Sequence, residues 1–310
     1  FQLRSTDAVV RLDGVVVDTE QVVVSDPPRT LTLLPEPLLP CSTHELEVVH
    51  TLQTADVEPA TLPRLQFDGD TVWWSSAQED GAPDQMLELW LPSNLLFDRF
   101  DLALDIAVDG AEHDVVANGD VQAAGPNRWT VSFEDKQPHG PFWALFPTAD
   151  IERLTHPVGL PDGRTIAVDL LRFADDDGID LAASAAVAEA SLQLYDERLG
   201  PYQHGDRYLA WMRSGMAVSM EYDGATLSVP SALQHEIAHS WWGRGLAPMA
   251  DQHGWIDEGM AFWATGSTPF SPTEVPGGVR GARLLAGEDD WAGAGLGLGD
   301  YLQGSLVFAG

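Results

Sequence analysis

From Val9 to about Leu145 the chain alternates short apolar, β-branched runs with turn residues. Val15-Val16-Val17, Val22-Val23-Val24, Leu87-Glu88-Leu89-Trp90 and the period-two set Leu102, Leu104, Ile106, Val108 read as strands. Asp26-Pro27-Pro28, Asp68-Gly69-Asp70, Asn118-Gly119 and Pro126-Asn127 read as the turns between them. This half is predicted to be antiparallel β. The Pro- and Gly-rich stretch from Thr155 to Arg164 predicts a boundary, which divides the chain into a β-sheet domain over 1–155 and a second domain over 156–310. After a strand at Thr165 to Phe173 the period changes. Leu181, Ala185, Ala188, Leu192, Tyr195 and Leu199 recur at steps of four and three, predicting an amphipathic helix that ends at Gly200-Pro201. The second half is therefore expected to be α-rich, with a loop-dominated stretch from Ser271 to Gly299 and a further helix from Tyr301 to Phe308.

Three hundred and ten residues suffice for two domains with real cores, and 44% hydrophobic and 21% charged residues is a globular composition. No apolar run approaches the ~20 residues of a membrane-spanning helix. The 16 basic and 48 acidic residues give a net charge of −32, with Lys136 the sole lysine. Such a surface repels nucleic acid and anionic lipid. It serves solubility first, and it also suits a salty habitat or a cationic substrate. Cys41 has no second cysteine to pair with. The sequence begins at Phe1, so secreted or cell-envelope placement is expected, with the cytoplasm of a salt-adapted organism as the alternative.

The chemistry concentrates in Pro230-Ser231-Ala232-Leu233-Gln234-His235-Glu236-Ile237-Ala238-His239-Ser240-Trp241-Trp242-Gly243. Ser231 and Gln234 form an S-x-x-Q pattern after proline, which predicts a helix start with a capping box. Residues four apart on a helix lie one turn up on the same face, so His235 and His239 can turn both imidazoles to one point. Glu236 is one step round, placed to reach water at a metal rather than the metal itself, as a general base requires. A hydrolytic zinc site needs a third protein ligand and one open position. Glu258, in Gly254-Trp255-Ile256-Asp257-Glu258-Gly259-Met260-Ala261-Phe262-Trp263, is the candidate. H-E-x-x-H alone also arises by chance in helices; the W-W-G and W-I-D-E-G-M-A that follow argue against chance here.

These residues resemble the gluzincin aminopeptidases, the family of aminopeptidase N and leukotriene hydrolase, with H-E-x-x-H, eighteen residues, then E. The resemblance extends to Gly215-Met216-Ala217-Val218-Ser219-Met220-Glu221-Tyr222, similar to the family's G-x-M-E-N cleft strand, and to Tyr301-Leu302-Gln303-Gly304, similar to its Y-x-K-G helix. Leu91-Pro92-Ser93-Asn94 and Ala117-Asn118-Gly119-Asp120 look like turns of its saddle-shaped β domain. The departures are Tyr222 for Asn, Gln303 for Lys, and only 14 positions between Glu221 and His235. The resemblance implies a multidomain α+β fold, an N-terminal antiparallel β saddle followed by a thermolysin-like, α-rich catalytic domain. It also implies that a further segment or a second chain completes the C-terminal helical part after Gly310.

The expected function is that of a zinc metallopeptidase with one Zn²⁺ per chain, an aminopeptidase acting on peptides with a free N-terminus. His235, His239 and Glu258 would hold the metal, Glu236 would act as general base, and by resemblance Tyr301 would hydrogen-bond the oxyanion. Glu221, with Met220 and Gly215 in its segment, would bind substrate, the Glu221 carboxylate pairing with the α-ammonium. The alternatives are a catalytically silent member serving as a binding or scaffold module, and an endopeptidase or other amide or epoxide hydrolase on the same zinc site. His253 reads as a loop histidine, and Trp241, Trp242, Trp255 and Trp263 as core packing.

Overall fold

In the Trp143–Pro147 strand every side chain is buried, so both faces of its sheet must be covered. Even and odd positions there go to different cores. Ala144 and Phe146 join Val116, Phe142, Trp211, Tyr222 and Leu227, whereas Trp143 and Leu145 join Val115, Ala117, Val131 and Phe133. The same alternation recurs in Thr165–Phe173, where Ile166, Val168 and Leu170 face a third core and Leu171 faces back. Period two, applied to sheets covered on both sides, thus builds a layered molecule.

This computed structural model describes residues 8–23, 30–51, 65–76, 91, 99–136, 140–216, 219–246 and 254–266. Its outer layer is a three-stranded antiparallel sheet of Asp120–Gly125, Arg128–Lys136 and Phe100–Ala107. In Phe100–Ala107 partly buried and exposed positions alternate, as the Leu102, Leu104, Ile106 spacing predicts. Behind it lies the antiparallel sheet Leu65–Asp68, Thr71–Ser75, Trp143–Pro147, His113–Ala117. Next comes a mixed five-stranded sheet in the order Ile151–Gly159, Thr165–Phe173, Arg207–Met212, Ala225–Ser228, Met220–Tyr222. Helices α1 (Leu181–Leu199) and α2 (Leu233–Ala238) cover the far side of that sheet. Two small sheets, Val9–Leu12 with Val15–Val16 and Leu46–Val49, and Glu20–Val23 with Thr30–Leu33, complete the N-terminal part.

Helix α1 forms where its apolar spacing predicts. Asp180 caps it, its carboxylate accepting from the Ala182 and Ala183 amides, and it ends at Gly200 with φ of 105°. The stretch expected to be a boundary is different in kind. Ile151–Gly159 is a strand paired along its whole length with Thr165–Phe173, so the expected division at 155/156 falls inside a β-hairpin. Pro157 sits there on an edge strand, where a missing N–H costs nothing in the ladder. The described residues of the second half do not show the expected α-rich character. Among the described residues the five-stranded sheet is its main element, with α1, α2 and α3 (Gly254–Ala264) as its helices. No described helix is long and apolar enough to cross a membrane. The strand expected at Leu87–Trp90, the loop at Ser271–Gly299, His253 and the helix with Tyr301 all lie outside the described residues.

Candidate metal centre

The M-E-Y strand, Met220–Tyr222, forms the edge of the five-stranded sheet and returns through Asp223-Gly224 into Ala225–Ser228. Gly224 has φ of 67°, and a Cβ there would meet the Tyr202 hydroxyl at 2.6 Å, so the turn needs glycine. The resemblance implies an exposed cleft strand; the structure buries all three residues. The turn itself is fixed from the N-terminal half. Asn118 Nδ2 donates to the carbonyls of Gly140 (2.7 Å) and Asp223 (2.9 Å), its Oδ1 accepts from Phe142 N (2.8 Å), and Lys136 Nζ pairs with Asp223 Oδ2 at 3.2 Å.

Only the short path Val229–Ala232 separates Ser228 from α2, and it is spent on a turn closed by Ala232 N donating to Val229 O at 3.0 Å. The predicted capping box does not form. Ala232 takes the N-cap position in helical conformation with no side-chain cap, because the turn has already set the direction of entry. Helix α2 spans six residues, and His239 just beyond it keeps a helical backbone (φ −61°, ψ −20°). The helical phase therefore runs unbroken from His235 to His239, and their rings stand edge to face at 4.7 Å. Helix α3 crosses below, placing Phe262 against His235 and presenting Asp257 and Glu258 to the histidine pair.

His235 Nε2 lies 3.1 Å from His239 Nε2 and 3.1 Å from Glu258 Oε2, and His239 Nε2 lies 3.6 Å from Glu258 Oε2. Zinc bonds of about 2.0–2.1 Å in a tetrahedron put neighbouring donors about 3.3–3.4 Å apart. The three atoms thus already stand at the corners of one tetrahedral face, and the donor set, two imidazoles and a carboxylate, fits Zn²⁺. A second group, Glu221, Glu236 and His239, has donor atoms within 4.8 Å of one another. It fits less well, since His239 Nδ1 is held by Asp257 and Glu221 Oε1 by Arg244.

Glu236 is buried beside these ligands, with an oxygen within 4.8 Å of a His239 nitrogen and a Glu221 oxygen. Burial pushes its carboxyl well above the usual range; His239 opposes that, while Glu221, Glu258 and Asp257 add to it. For Glu258 burial again disfavours the charge, but the two histidines outweigh it and hold the carboxylate ionised. His239 is raised: burial works against its charge, and the surrounding Glu221, Asp257 and Glu258 prevail. The group is built to balance positive charge at its centre.

Glu221 is 3% exposed and pairs with Arg244, its Oε1 accepting from Nη2 at 2.7 Å. Burial alone would raise its pKa; His239 and Arg244 reverse the direction and keep it ionised. Met220 is packed in the core between the sheets, and Gly215 is an exposed turn residue with φ of 71°. Trp241 is buried and donates Nε1–H to Gly200 O at 2.7 Å, Trp242 packs against the same core, and Trp263, expected in the core, is 40% exposed. Three contributors have no motif of their own. Asp257 accepts from His239 Nδ1, and the loop after α2 brings Gly243 against Asp257 and Arg244 against Glu221. For Asp257 the usable signal is its place directly before the candidate ligand Glu258.

No protein-family model matches this sequence, and a search of curated proteins finds no match. Solved structures do match in fold. A mutant M1 zinc metallopeptidase from Deinococcus radiodurans, bound to a Tyr-Ser-Ala substrate, aligns with 98% of this chain and 72% of its own at 17% identity and a TM-score of 0.64. A two-domain M1 zinc metallopeptidase mutant bound to L-arginine aligns at 18% identity and a TM-score of 0.58, covering 87% of this chain. Yeast LTA4 hydrolase in complex with bestatin aligns over 99% of this chain at 14% identity and a TM-score of 0.63. This chain spans 63% of the two-domain protein and 52% of the yeast hydrolase. At these identities the likeness is one of fold, and the described layers, mostly β with few helices, constitute a two-domain fold of the M1 zinc metallopeptidase type.

Proposed function

We propose that the chain is a zinc-dependent aminopeptidase, hydrolysing the first peptide bond of peptides with a free amino terminus. The observation that carries this is the tetrahedral face formed by His235 Nε2, His239 Nε2 and Glu258 Oε2, with the Glu236 carboxyl buried alongside. Zinc held by these three residues supplies Lewis acidity, lowering the pKa of water and polarising the scissile carbonyl. Glu236 takes the proton of the attacking water and hands it to the leaving nitrogen. Asp257 fixes the His239 ring with Nδ1 protonated, so that Nε2 keeps its lone pair for the metal. Glu221 offers a buried, ionised carboxylate to the substrate's ammonium, and that contact registers the first peptide bond at the metal. Tyr301, by resemblance, stabilises the oxyanion. The further helical part that the family carries after the tyrosine belongs to the same proposal.

The reading is supported by solved structures of similar fold that hold a tripeptide substrate, an amino acid or bestatin. The test is elemental analysis with activity on aminoacyl arylamides. One zinc per chain is expected, with hydrolysis abolished by a chelator and restored by stoichiometric Zn²⁺. A purified protein without transition metal whose hydrolysis ignores the chelator would overturn the proposal.

A further inference from the structure

The loop that follows α2, Trp241 to Leu246, is closed on itself and tied to the metal centre. Leu246 N donates to Trp241 O (3.0 Å), Gly243 N to Leu246 O (3.0 Å), and Arg244 N to His239 O (3.1 Å). Gly243 has φ of 87°, and a Cβ there would overlap the Asp257 carboxylate at 1.9 Å, so the loop packs directly against the residue that holds His239. From this anchored position Arg244 reaches across to the M-E-Y strand and meets Glu221 in an ion pair. Both side chains are almost fully buried, 6% and 4% exposed. A surface salt bridge would signify little; this one places a guanidinium beside the carboxylate expected to receive the substrate.

Glu221 stands on a three-residue edge strand, so the direction of its side chain depends on the partner that holds it. Arg244 Nη2 donates to one oxygen of Glu221, Oε1, at 2.7 Å. A carboxylate has two oxygens and about four acceptor sites, so an ammonium can be bound at the same time as the guanidinium. The fixed loop also fixes which way the carboxylate plane is turned.

We propose that Arg244 is a positioning residue for substrate selection: by pairing with one oxygen of Glu221 from an anchored loop, it fixes where that carboxylate stands and which way it is turned to receive an amino-terminal ammonium. The inference rests on the aminopeptidase reading and deepens it. It assigns the preference for charged amino termini to a residue in the loop after the metal helix as well as to the M-E-Y strand. No covalent step is involved.

The experiment compares wild-type protein with R244Q, R244K and E221Q/R244Q, loaded with Zn²⁺, on a free-amine arylamide and its N-acetyl counterpart. Binding of phenylalaninamide and of N-acetylphenylalaninamide to the same proteins is measured by calorimetry, as a readout that needs no turnover. R244Q should lower the free-amine over acetyl ratio of kcat/KM, and the corresponding ratio of affinities, by roughly ten- to a hundredfold, the worth of one charge-assisted hydrogen bond. R244K, which retains the charge, should recover much of that loss. E221Q/R244Q leaves no lone buried charge and guards against misfolding; it should show the same low ratio as R244Q. A ratio in R244Q equal to that of wild type, or a loss that falls equally on both substrates and is not recovered by R244K, would overturn the proposal. So would a wild-type protein that binds and cleaves free and acetylated compounds alike, while zinc-dependent hydrolysis in that case would leave the peptidase reading standing. Absence of zinc and of any hydrolysis is the separate failure of that reading; selective amine binding, lost in R244Q, would then still support the role of Arg244.

Discussion

Asp257→Asn tests whether the metal centre depends on a residue that touches no metal. In the structure the Asp257 carboxylate accepts from His239 Nδ1, and the His239 side chain is 1% exposed, so water cannot take over that contact. Asparagine has nearly the same shape and still fills the space against Gly243, where the close approach leaves no room for a Cβ. What it removes is the negative charge that makes the far ring nitrogen a better donor. Replacing such a partner costs about 10- to 100-fold in metal affinity, or about 1.4–2.7 kcal/mol. The folded metal-free protein should lose little, since burial already raises the Asp257 pKa and a neutral group relieves that penalty. The assay is competition for Zn²⁺ against a fluorescent chelator, with thermal unfolding of the metal-free proteins alongside. A zinc Kd within threefold of wild type would refute the reasoning. So would weaker binding accompanied by a collapsed melting temperature, because the effect would then be one of packing.

Glu236→Gln should keep one zinc per chain while kcat falls on the order of 10²-fold or more, since an amide cannot accept the proton; near-normal turnover in steady-state assays would remove Glu236 from the role of base. Asn118→Ala breaks three hydrogen bonds and strands the Phe142 amide, so denaturant titration should show a loss of about 1–3 kcal/mol. A change below about 0.5 kcal/mol would show that the Asp223-Gly224 turn is held by other contacts.

The residues that the sequence made legible are those whose geometry is local. His235 and His239 are brought together by helical phase alone, and that survives even though α2 is only six residues long and its predicted cap is not used. Glu258 could be picked out because α3 delivers it as a unit. Period-two alternation likewise locates Phe100–Ala107, and apolar steps of four and three locate α1. Thr155 to Arg164 forms a strand and hairpin turn where its composition suggests a linker, because Pro and Gly also occur on edge strands and in tight hairpins. The weight of β structure in the second half was hidden for a related reason. Arg207–Met212 is buried from Tyr208 onward and reads as a nearly continuous apolar run instead of an alternation, and Ala225–Ser228 is only four residues long, so periodicity gives little sign of either.

The contacts that hold Glu221 and its hairpin are legible only in three dimensions, because each joins segments far apart in sequence. In a chain with 48 acidic and 16 basic residues a cation is a scarce partner, and most carboxylates must be left to solvent. Two of the cations nevertheless converge on the same hairpin. The sole lysine, Lys136, pairs with Asp223 at its turn, and Arg244 pairs with Glu221 on its strand. These two carboxylates stand two residues apart, and each receives its partner from a different side. Lys136 comes from the outer β-sheet of the N-terminal half, and Arg244 comes from the loop that follows His235 and His239. The Met220–Tyr222 strand is three residues long and lies at a sheet edge, with Ala225–Ser228 as its one neighbour in the sheet, so its ladder alone is a weak restraint. Buried ion pairs are costly to desolvate and are retained where they set position more than stability. Both halves of the chain therefore share in placing Glu221: the outer β-sheet holds the turn of its hairpin through Lys136, and the loop after His239 holds its carboxylate through Arg244.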